Sequence, residues 1–206
     1  MEVIQFICSI VTAFATVLIV FQLIQAKKAE EKQHEEMRRI KTIEVMQAWS
    51  SSLKKETSFA EKIVESFTDA QCRALCLCEE IELDAKMGKM ICQICPEGCS
   101  HADGGCCKCM NEGKFKVDGV QLSEFRWYVI TYLNMLETVM AAWNLKIVDT
   151  EEIEHQFQYL YNPQKGWDAL EGFRKAAGGA KAYPNIDKFI EMLKKKETHS
   201  KEVSKL

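Results

Sequence analysis

Six of the ten cysteines of this chain lie in one short segment, CQICPEGCSHADGGCCKC, which runs from Cys92 to Cys109. Two C-x2-C pairs, Cys92 with Cys95 and Cys106 with Cys109, are separated by ten residues. Each pair can place two thiolates on one ion through a tight turn, and four thiolates in tetrahedral positions suit zinc. A proline and three glycines supply the residues that such turns need. The spacing therefore predicts a structural zinc site, with an iron–sulfur cluster or no metal as the alternatives.

More thiol and imidazole groups near this segment could bind a second zinc ion. The candidates are Cys72, Cys76, Cys99, His101 and Cys107, and Cys78 could replace one of them. Cys72 and Cys76 are four residues apart in a helical stretch, so they share a face. Two alternatives stay open. Cys99 or Cys107 could displace a member of the first set, or the thiols before residue 80 could be ordinary small core residues.

The chemistry of these thiols depends on the cell compartment, which residues 3–24 indicate. This stretch, VIQFICSIVTAFATVLIVFQLI, has no charged side chain over 22 residues. As a helix it would span roughly 33 Å, enough for the core of a bilayer. A cleaved signal peptide is the main rival, but it requires a positive start and a small-x-small cleavage site at the end, whereas the start here is Met-Glu and the end is Leu-Ile-Gln-Ala-Lys-Lys. The stretch therefore predicts a retained membrane anchor.

Charge around the anchor predicts its orientation. No Lys or Arg precedes it, whereas Lys27 and Lys28 follow directly. The positive-inside rule then predicts a single-pass protein with its N-terminus outside and the remaining chain in the cytoplasm. The membrane is taken to be a bacterial inner membrane, an assumption that no residue pattern in the sequence establishes. Cytosolic thiols are normally reduced, which favours metal binding over a disulfide framework.

Four polar residues follow helical spacing within the apolar stretch. They are Gln5, Ser9, Thr12 and Thr16. Their spacing places them within about 40° of one line along a helix. A polar stripe that faced lipid would waste its hydrogen bonds, so we expect it to face another helix or water, and several copies could enclose a pore. The alternative is that the hydroxyl groups bond their own backbone carbonyls and need no partner.

The chain beyond the anchor predicts one all-α cytosolic domain on a helical stalk. Residues 1–26 are expected to form the transmembrane helix, 27–56 the stalk, 57–195 a helical bundle with a Cys-rich zinc-binding insertion at 92–109, and 196–206 a disordered tail. The start of the stalk is polar all round. No stretch shows convincing strand alternation, so the predicted class is all-α.

Periodicity and capping residues predict the helices of the domain. They are expected over 57–90 (with a break allowed), 124–144, 151–161, 166–177 and 184–195. Ser123 is the expected N-cap of the helix at 124–144, and Asp149 or Thr150 is the expected N-cap of the helix at 151–161. Gly178 and Gly179 are expected to end the helix at 166–177.

Motifs of catalysis are missing from the sequence. Near the cysteine segment there is no H-E-x-x-H and no deaminase-type H-x-E, and the sequence contains no G-x-S-x-G and no Gly-rich phosphate loop. None of the four histidines follows an arginine at the spacing used by helical ribonucleases of the HEPN class. His155 is expected on a helix surface, and the acidic run at 79–82 on a solvated face. The sequence therefore predicts a protein that is not an enzyme.

The layout resembles a known family. It consists of the anchor at 3–24, the stalk at 27–49 and RWYVITYLNMLETVMAAWNLKIVDTEEIEHQF at 126–157, which is expected to form a helix–turn–helix. Together these are similar to the small membrane accessory proteins of type VI-B CRISPR loci, which are HEPN-like without a dependable nuclease motif. The chain also resembles uncharacterised bacterial single-anchor helical proteins. The first resemblance covers most of the chain and implies a multimeric pore that depolarises the membrane in antiviral defence, with no catalytic residue carried over.

The prediction is therefore a zinc-stabilised homo-oligomeric membrane protein that acts as a pore-like effector in phage defence. Its expected partners are further copies of itself and the lipid bilayer. The resemblance adds an RNA-guided nuclease complex or its RNA products. The net charge of −3 gives no reason to expect direct DNA binding. The alternative is a zinc-stabilised tether or scaffold whose cytosolic domain binds a protein or a small ligand without pore activity.

Overall fold

A computed structural model describes residues 2–94, 114–117, 119–163 and 167–203, with side chains except at 2–17, 92, 93, 114, 167, 200, 202 and 203. This part of the chain is mostly helical, with eight α-helices and two small antiparallel β-ribbons. The mostly helical class predicted from the sequence is confirmed for these residues.

The first element is a single helix, α1, which runs from Glu2 to Ser52 without a break. Its 51 residues span about 77 Å at 1.5 Å per residue. Neither Gly nor Pro occurs in this stretch, which explains the continuity because those two residues most often break helices. The expected continuation of the N-terminal helix past the uncharged stretch is confirmed as far as Ser52, and the role of residues 27–56 as a stalk stays a prediction.

The remaining helices surround one long central helix. They are α2 (Lys55–Val64), α3 (Asp69–Leu77), α4 (Ala85–Ile94), α5 (Gly119–Asn144), α6 (Thr150–Phe157), α7 (Glu171–Ala176) and α8 (Pro184–Val203). The central one is α5, which packs against α1, α2, α3, α4 and α8. Its buried side chains, among them Phe125, Val129 and Leu136, recur at three- and four-residue spacing and form the middle of the core.

Side-chain caps set several helix ends. Asp149, one of the two predicted caps, is the N-cap of α6, because its carboxylate accepts the backbone N–H groups of Glu151 and Glu152 at 3.2 and 3.3 Å. Thr68 and Gln71 form a capping box that starts α3 and so divides the stretch 57–90. Ser123 is not the N-cap of α5, since that helix already begins at Gly119. Glu137 of α5 starts α8 by accepting two of its backbone N–H groups, both at 3.0 Å.

Two β-ribbons correct the all-α prediction in detail. The first joins β1 (Ile81–Asp84) to β2 (Lys114–Val117), and the second joins β3 (Tyr161–Asn162) to β4 (Trp167–Asp168). In β1 the apolar residues are buried and the acidic residues are exposed in strict alternation. The acidic run around this strand therefore contained a short strand signal that the prediction missed.

The C-terminal third departs from the predicted boundaries in three places. The expected helix 151–161 is α6 followed by a 3₁₀ turn, Gln158–Leu160. The helix expected over 166–177 is the shorter α7, which ends before Gly178 and Gly179, both at positive φ. Helix α8 continues through 196–203, the part expected to be disordered. Its extension pairs Lys196 with Glu154 of α6.

Candidate functional site

The fold holds both ends of the predicted zinc-binding segment. Helix α4 ends at Ile94, and β2 begins at Lys114, beside Asp84, which directly precedes α4. Helix α4 packs closely on β2, because a Cβ at Gly88 would overlap the side chain of Phe115. The two attachment points of the segment are therefore fixed relative to each other.

Most of the predicted zinc ligands lie outside the described residues. They are Cys95, Cys99, His101, Cys106, Cys107 and Cys109. Cys92 lies near the end of α4, where the backbone is described and the side chain is not. Among the residues whose side chains are described, no group of three or more His, Cys, Asp or Glu could hold a metal ion. The first zinc site stays a prediction of the sequence.

Two candidates for the second zinc site lie on α3 and face α7. Cys72 is fully buried, and its Sγ lies 3.2 Å from the position of a Cβ at Gly172. The Sγ of Cys76 lies 3.9 Å from the carbonyl oxygen of Phe173. Desolvation raises the pKa of Cys72 to about 11 and also raises the pKa of Cys76. Because zinc binds the thiolate, these surroundings favour the core interpretation of both residues.

The third thiol of this region, Cys78, ends α3 in the left-handed conformation, with φ of 55°. Arg126 of α5 lies beside it, with Nη1 3.9 Å from the Cys78 Sγ. This corner brings a thiol and a guanidinium together where α3 meets α5. Arg126 was not among the residues that the sequence singled out.

The predicted membrane segment falls largely where the structure describes the backbone alone. Residues 2–17 are helical within α1, but the side chains of Gln5, Ser9, Thr12 and Thr16 lie outside those described. Within the described part of the chain, no helix is long and apolar enough to cross a membrane. The helical conformation predicted for 3–24 is confirmed, whereas the anchor and the polar stripe stay predictions.

Further along α1, opposite faces have different surroundings. The packed face consists of Thr42, Val45, Met46 and Trp49, which lie against the domain. The outer face carries Met37, Ile40 and Ile43, which are 50%, 52% and 59% exposed. At 100° per residue the centres of the two faces are about 170° apart. Three exposed apolar side chains along one line of a charged helix indicate an interaction surface.

The packed face joins α1 firmly to the domain. The indole of Trp49 contacts the rings of Tyr132 and Phe157, with centroid separations of 5.5 and 5.4 Å. The Thr42 hydroxyl donates to a carbonyl one turn earlier at 2.8 Å and accepts the N–H of Asp149 at 2.7 Å. Since Asp149 is the N-cap of α6, Thr42 links the stalk directly to the start of that helix.

A basic groove lies between α1 and the turn that joins α5 to α6. It is lined by His34, Met37, Arg38, Lys41, Lys146 and Ile147 and has a volume of about 520 Å³. Three of these side chains, Arg38, Lys41 and Lys146, are basic. The groove therefore suits an acidic group that approaches beside the outer face of α1.

A partly buried cluster of acids and phenols lies where α2 meets α5. The Tyr132 hydroxyl donates to Oε1 of Glu61 at 3.5 Å. Glu61 is also hydrogen-bonded to Glu65, and Tyr132 to Tyr159. Burial raises the pKa of Glu61, raises the pKa of Tyr159 to about 12 and raises that of Tyr132. The cluster therefore forms a contact between the two helices whose strength depends on a proton at Glu61.

A second charged cluster holds both α7 and β4 on α8. The buried Arg174 pairs with Asp187, and its Nε donates to the carbonyl of Ala169 at 2.9 Å. The buried Asp168 pairs with Lys194 at 2.7 Å. Burial lowers the pKa of Arg174, against the opposing effect of nearby carboxylates. Since each of these four charges has an opposite partner, the cluster is a structural cross-link and not a reactive site.

Sequence reasoning missed the Glu61 cluster, the basic groove and the bond from Thr42. A signal for the first was present, because Glu61 takes a place on the apolar face of α2 that Thr57, Ala60 and Val64 define. The groove and the Thr42 bond join residues about a hundred positions apart, and no local pattern indicates them.

Comparison with known proteins does not place the chain in a family. No protein family, no curated protein and no solved structure matches it. The functional conclusion therefore rests on the residues and surfaces described above.

Proposed function

We propose that the protein is a membrane-anchored homo-oligomeric effector, pore-like in its action, whose cytosolic domain is joined rigidly to its membrane segment. The observation that carries this proposal is α1. One unbroken helix of 51 residues begins in the uncharged stretch and ends against the core of the domain. A continuous helix bends gently and without a hinge, so a movement of the domain would be transmitted along it. A flexible tether would not need this construction.

The sequence supports the membrane end of the proposal. Residues 3–24 carry no charge, and the lysines that follow them favour a cytoplasmic domain. The polar stripe gives that segment a face suited to water or to another helix. If this polar face pointed toward the axis of an oligomer, ions could leak along it and disturb the membrane potential. The setting in antiviral defence rests on the resemblance to accessory proteins of type VI-B CRISPR loci.

Zinc is the proposed structural cofactor of the segment at 92–109. Cys92, Cys95, Cys106 and Cys109 are its proposed ligands, on the spacing of the two C-x2-C pairs. The metal would close this segment between α4 and β2, which already hold its ends close to the domain. Binding energy at such a site adds to folding energy, so the metal would stabilise the domain and take no part in a reaction.

Leakage of ions through cells that express the protein tests the pore. Thr12→Leu and Ser9→Leu should each reduce loss of membrane potential relative to the unaltered protein, measured with a potential-sensitive dye. Val11→Leu makes a similar change of bulk to Thr12→Leu at a position about 130° from the stripe, and this control should leak normally. Unchanged leakage in the two stripe variants, with the oligomer intact in detergent, would exclude a pore lined by these residues.

The second candidate function is a membrane-tethered binding protein, favoured by the basic groove beside α1. Replacing residues 3–24 with an unrelated apolar helix separates the two candidates. The effector should lose its action on the membrane potential, because an unrelated helix carries no polar stripe. A tether needs the anchor alone and would keep its cellular activity.

A further inference from the structure

We propose that the polar membrane stripe and two residues of the outer face of α1, Met37 and Ile40, lie on one continuous heptad seam, along which several copies of α1 pack in parallel and in register. The inference rests on the self-association in the proposed function and names the surface that produces it. It makes a second copy of this chain the occupant of the exposed face at Met37 and Ile40.

The register follows from two series of residues at seven-residue intervals. The first series is Gln5, Thr12, Ile19, Ala26, Gln33, Ile40 and Gln47, and the second is Ser9, Thr16, Leu23, Glu30, Met37 and Glu44. Steps along the combined line alternate between four and three residues, the period of 3.5 that left-handed coiled coils require. Of these thirteen positions two are charged, in a helix whose stalk is otherwise dense in Lys, Arg and Glu. The four stripe residues predicted from the membrane segment alone are its first four members.

The position of the domain leaves this seam open. Thr42 and Trp49 occupy the heptad position opposite the seam, and both are buried in the domain. Met37 and Ile40, on the seam itself, are half exposed. Several α1 helices could therefore meet at a central axis while each domain stays on the outside of its own helix. A seam on the packed face would have been blocked by the domain.

The charges beside the seam are complementary between copies. Glu36 and Lys41 flank it on opposite sides and are five residues apart, the separation at which flanking residues of neighbouring parallel helices meet. Glu36 has no ion pair among the described residues. Lys41 pairs within its own helix with Glu44 at 2.6 Å, with both side chains half exposed. Exposed pairs of this kind contribute little, so Lys41 can exchange that partner for Glu36 of a neighbouring copy.

The basic groove supports the same arrangement. Lys41 lines it together with Arg38 and Lys146. An acidic side chain from the neighbouring helix would enter a region of positive potential there, which favours its pairing with Lys41. Glu30 and Glu44 on the seam itself reduce its strength, because charges at such positions specify register at a cost in stability. The seam is therefore suited to a reversible assembly.

Sedimentation of the full-length protein in detergent, at several concentrations, tests the seam. Ile40→Asn should raise the dissociation constant by at least about tenfold, because it places a polar group on the seam. Leu77→Asn changes another exposed apolar residue, on α3, and should leave assembly unchanged. Glu36→Lys and Lys41→Glu should each weaken assembly by like-charge contact, and the double variant should recover most of the loss.

The outcomes separate this inference from the proposed function. Recovery in the double variant, with loss in Ile40→Asn, supports a parallel seam in register. An oligomer of unchanged size and affinity in Ile40→Asn and in both charge variants overturns the seam but leaves self-association intact. If Glu36→Lys and Lys41→Glu each weaken assembly and the double variant shows the sum of both losses without recovery, the parallel register is overturned. A monomer at every concentration of the unaltered protein overturns both proposals.

Discussion

Gly88→Ala should destabilise the protein, although Gly to Ala inside a helix ordinarily stabilises by about 1 kcal/mol. Gly88 lies in α4, where an added Cβ would overlap Cβ, Cγ and Cδ1 of Phe115 on β2. Phe115 is 2% exposed, so its ring cannot turn away without leaving the core. Because its Cβ is also involved, the β2 backbone would have to move as well.

The magnitude follows from two opposing terms. Forcing an extra methyl group into a packed core costs about 1–3 kcal/mol, and full displacement of a buried Phe costs about 3–5 kcal/mol. The overlap involves the rigid base of the Phe115 side chain, which places the cost near 3–4 kcal/mol. Subtracting the gain of about 1 kcal/mol in helix propensity leaves a net destabilisation of about 2–3 kcal/mol.

Urea unfolding of the full-length protein in detergent, followed by circular dichroism, measures this difference. Gly119→Ala is the matched control, since its nearest non-local atom is the carbonyl oxygen of Cys78 at 3.6 Å, an ordinary contact. That control should change the free energy of unfolding by about 0.5 kcal/mol or less. Phe115→Leu removes part of the ring and should reduce the penalty of Gly88→Ala in the double variant. A Gly88→Ala protein as stable as the control would refute the close packing of α4 on β2.

Three further predictions concern other parts of the fold. Thr42→Val should lower the free energy of unfolding by about 1–2 kcal/mol, because the N–H of Asp149 loses its acceptor, whereas Thr42→Ser should stay close to the unaltered protein in the same urea titration. The raised pKa of Glu61 means that the folded state binds its proton more tightly than the unfolded state. Stability should therefore fall as pH rises from the ordinary Glu pKa through the raised one, and Glu61→Gln should stabilise more at pH about 8 than at pH about 4; identical pH profiles would contradict this. Cys95→Ser should lower both bound zinc and the melting temperature, with Cys8→Ser as control, and a normal zinc content would exclude the proposed ligand set.

The helices with strong local signals could be predicted from the sequence. Helix α1 has no breaker over its length, and α5 has a broad apolar face with regular spacing. The N-cap at Asp149 places a carboxylate directly before a helix, which is a local signal that needs no tertiary contact. These elements were identified because short-range chemistry alone favours them.

The parts that depend on distant contacts could not be predicted in the same way. Strand β1 pairs with β2 about thirty residues further on, and its four residues are too few for alternation to stand out from an acidic run. Helix α8 continues past residue 195 with support from Glu154, which belongs to another helix. Its last turns are rich in charge and give no apolar period from which to expect order.

The candidate functional residues also divide into those that local sequence indicates and those that depend on distant contacts. Spacing alone suggests the zinc ligands between Cys92 and Cys109 and the polar positions of the membrane segment. The surroundings of Cys72 and Cys76 depend on α7, which packs on α3 from about a hundred residues later. Their assignment as core residues therefore needed the tertiary structure. The outer face of α1 became a candidate surface once the domain was seen to cover the opposite side.

Native mass spectrometry of the full-length protein in detergent tests the central claim most directly. A membrane-anchored homo-oligomeric effector with a structural metal predicts a single closed oligomer of several chains, heavier by one or two zinc ions per chain. A monomer or a dimer would contradict the proposed effector and favour the tether. An oligomer without zinc would keep the effector but contradict the proposed role of the cysteine segment.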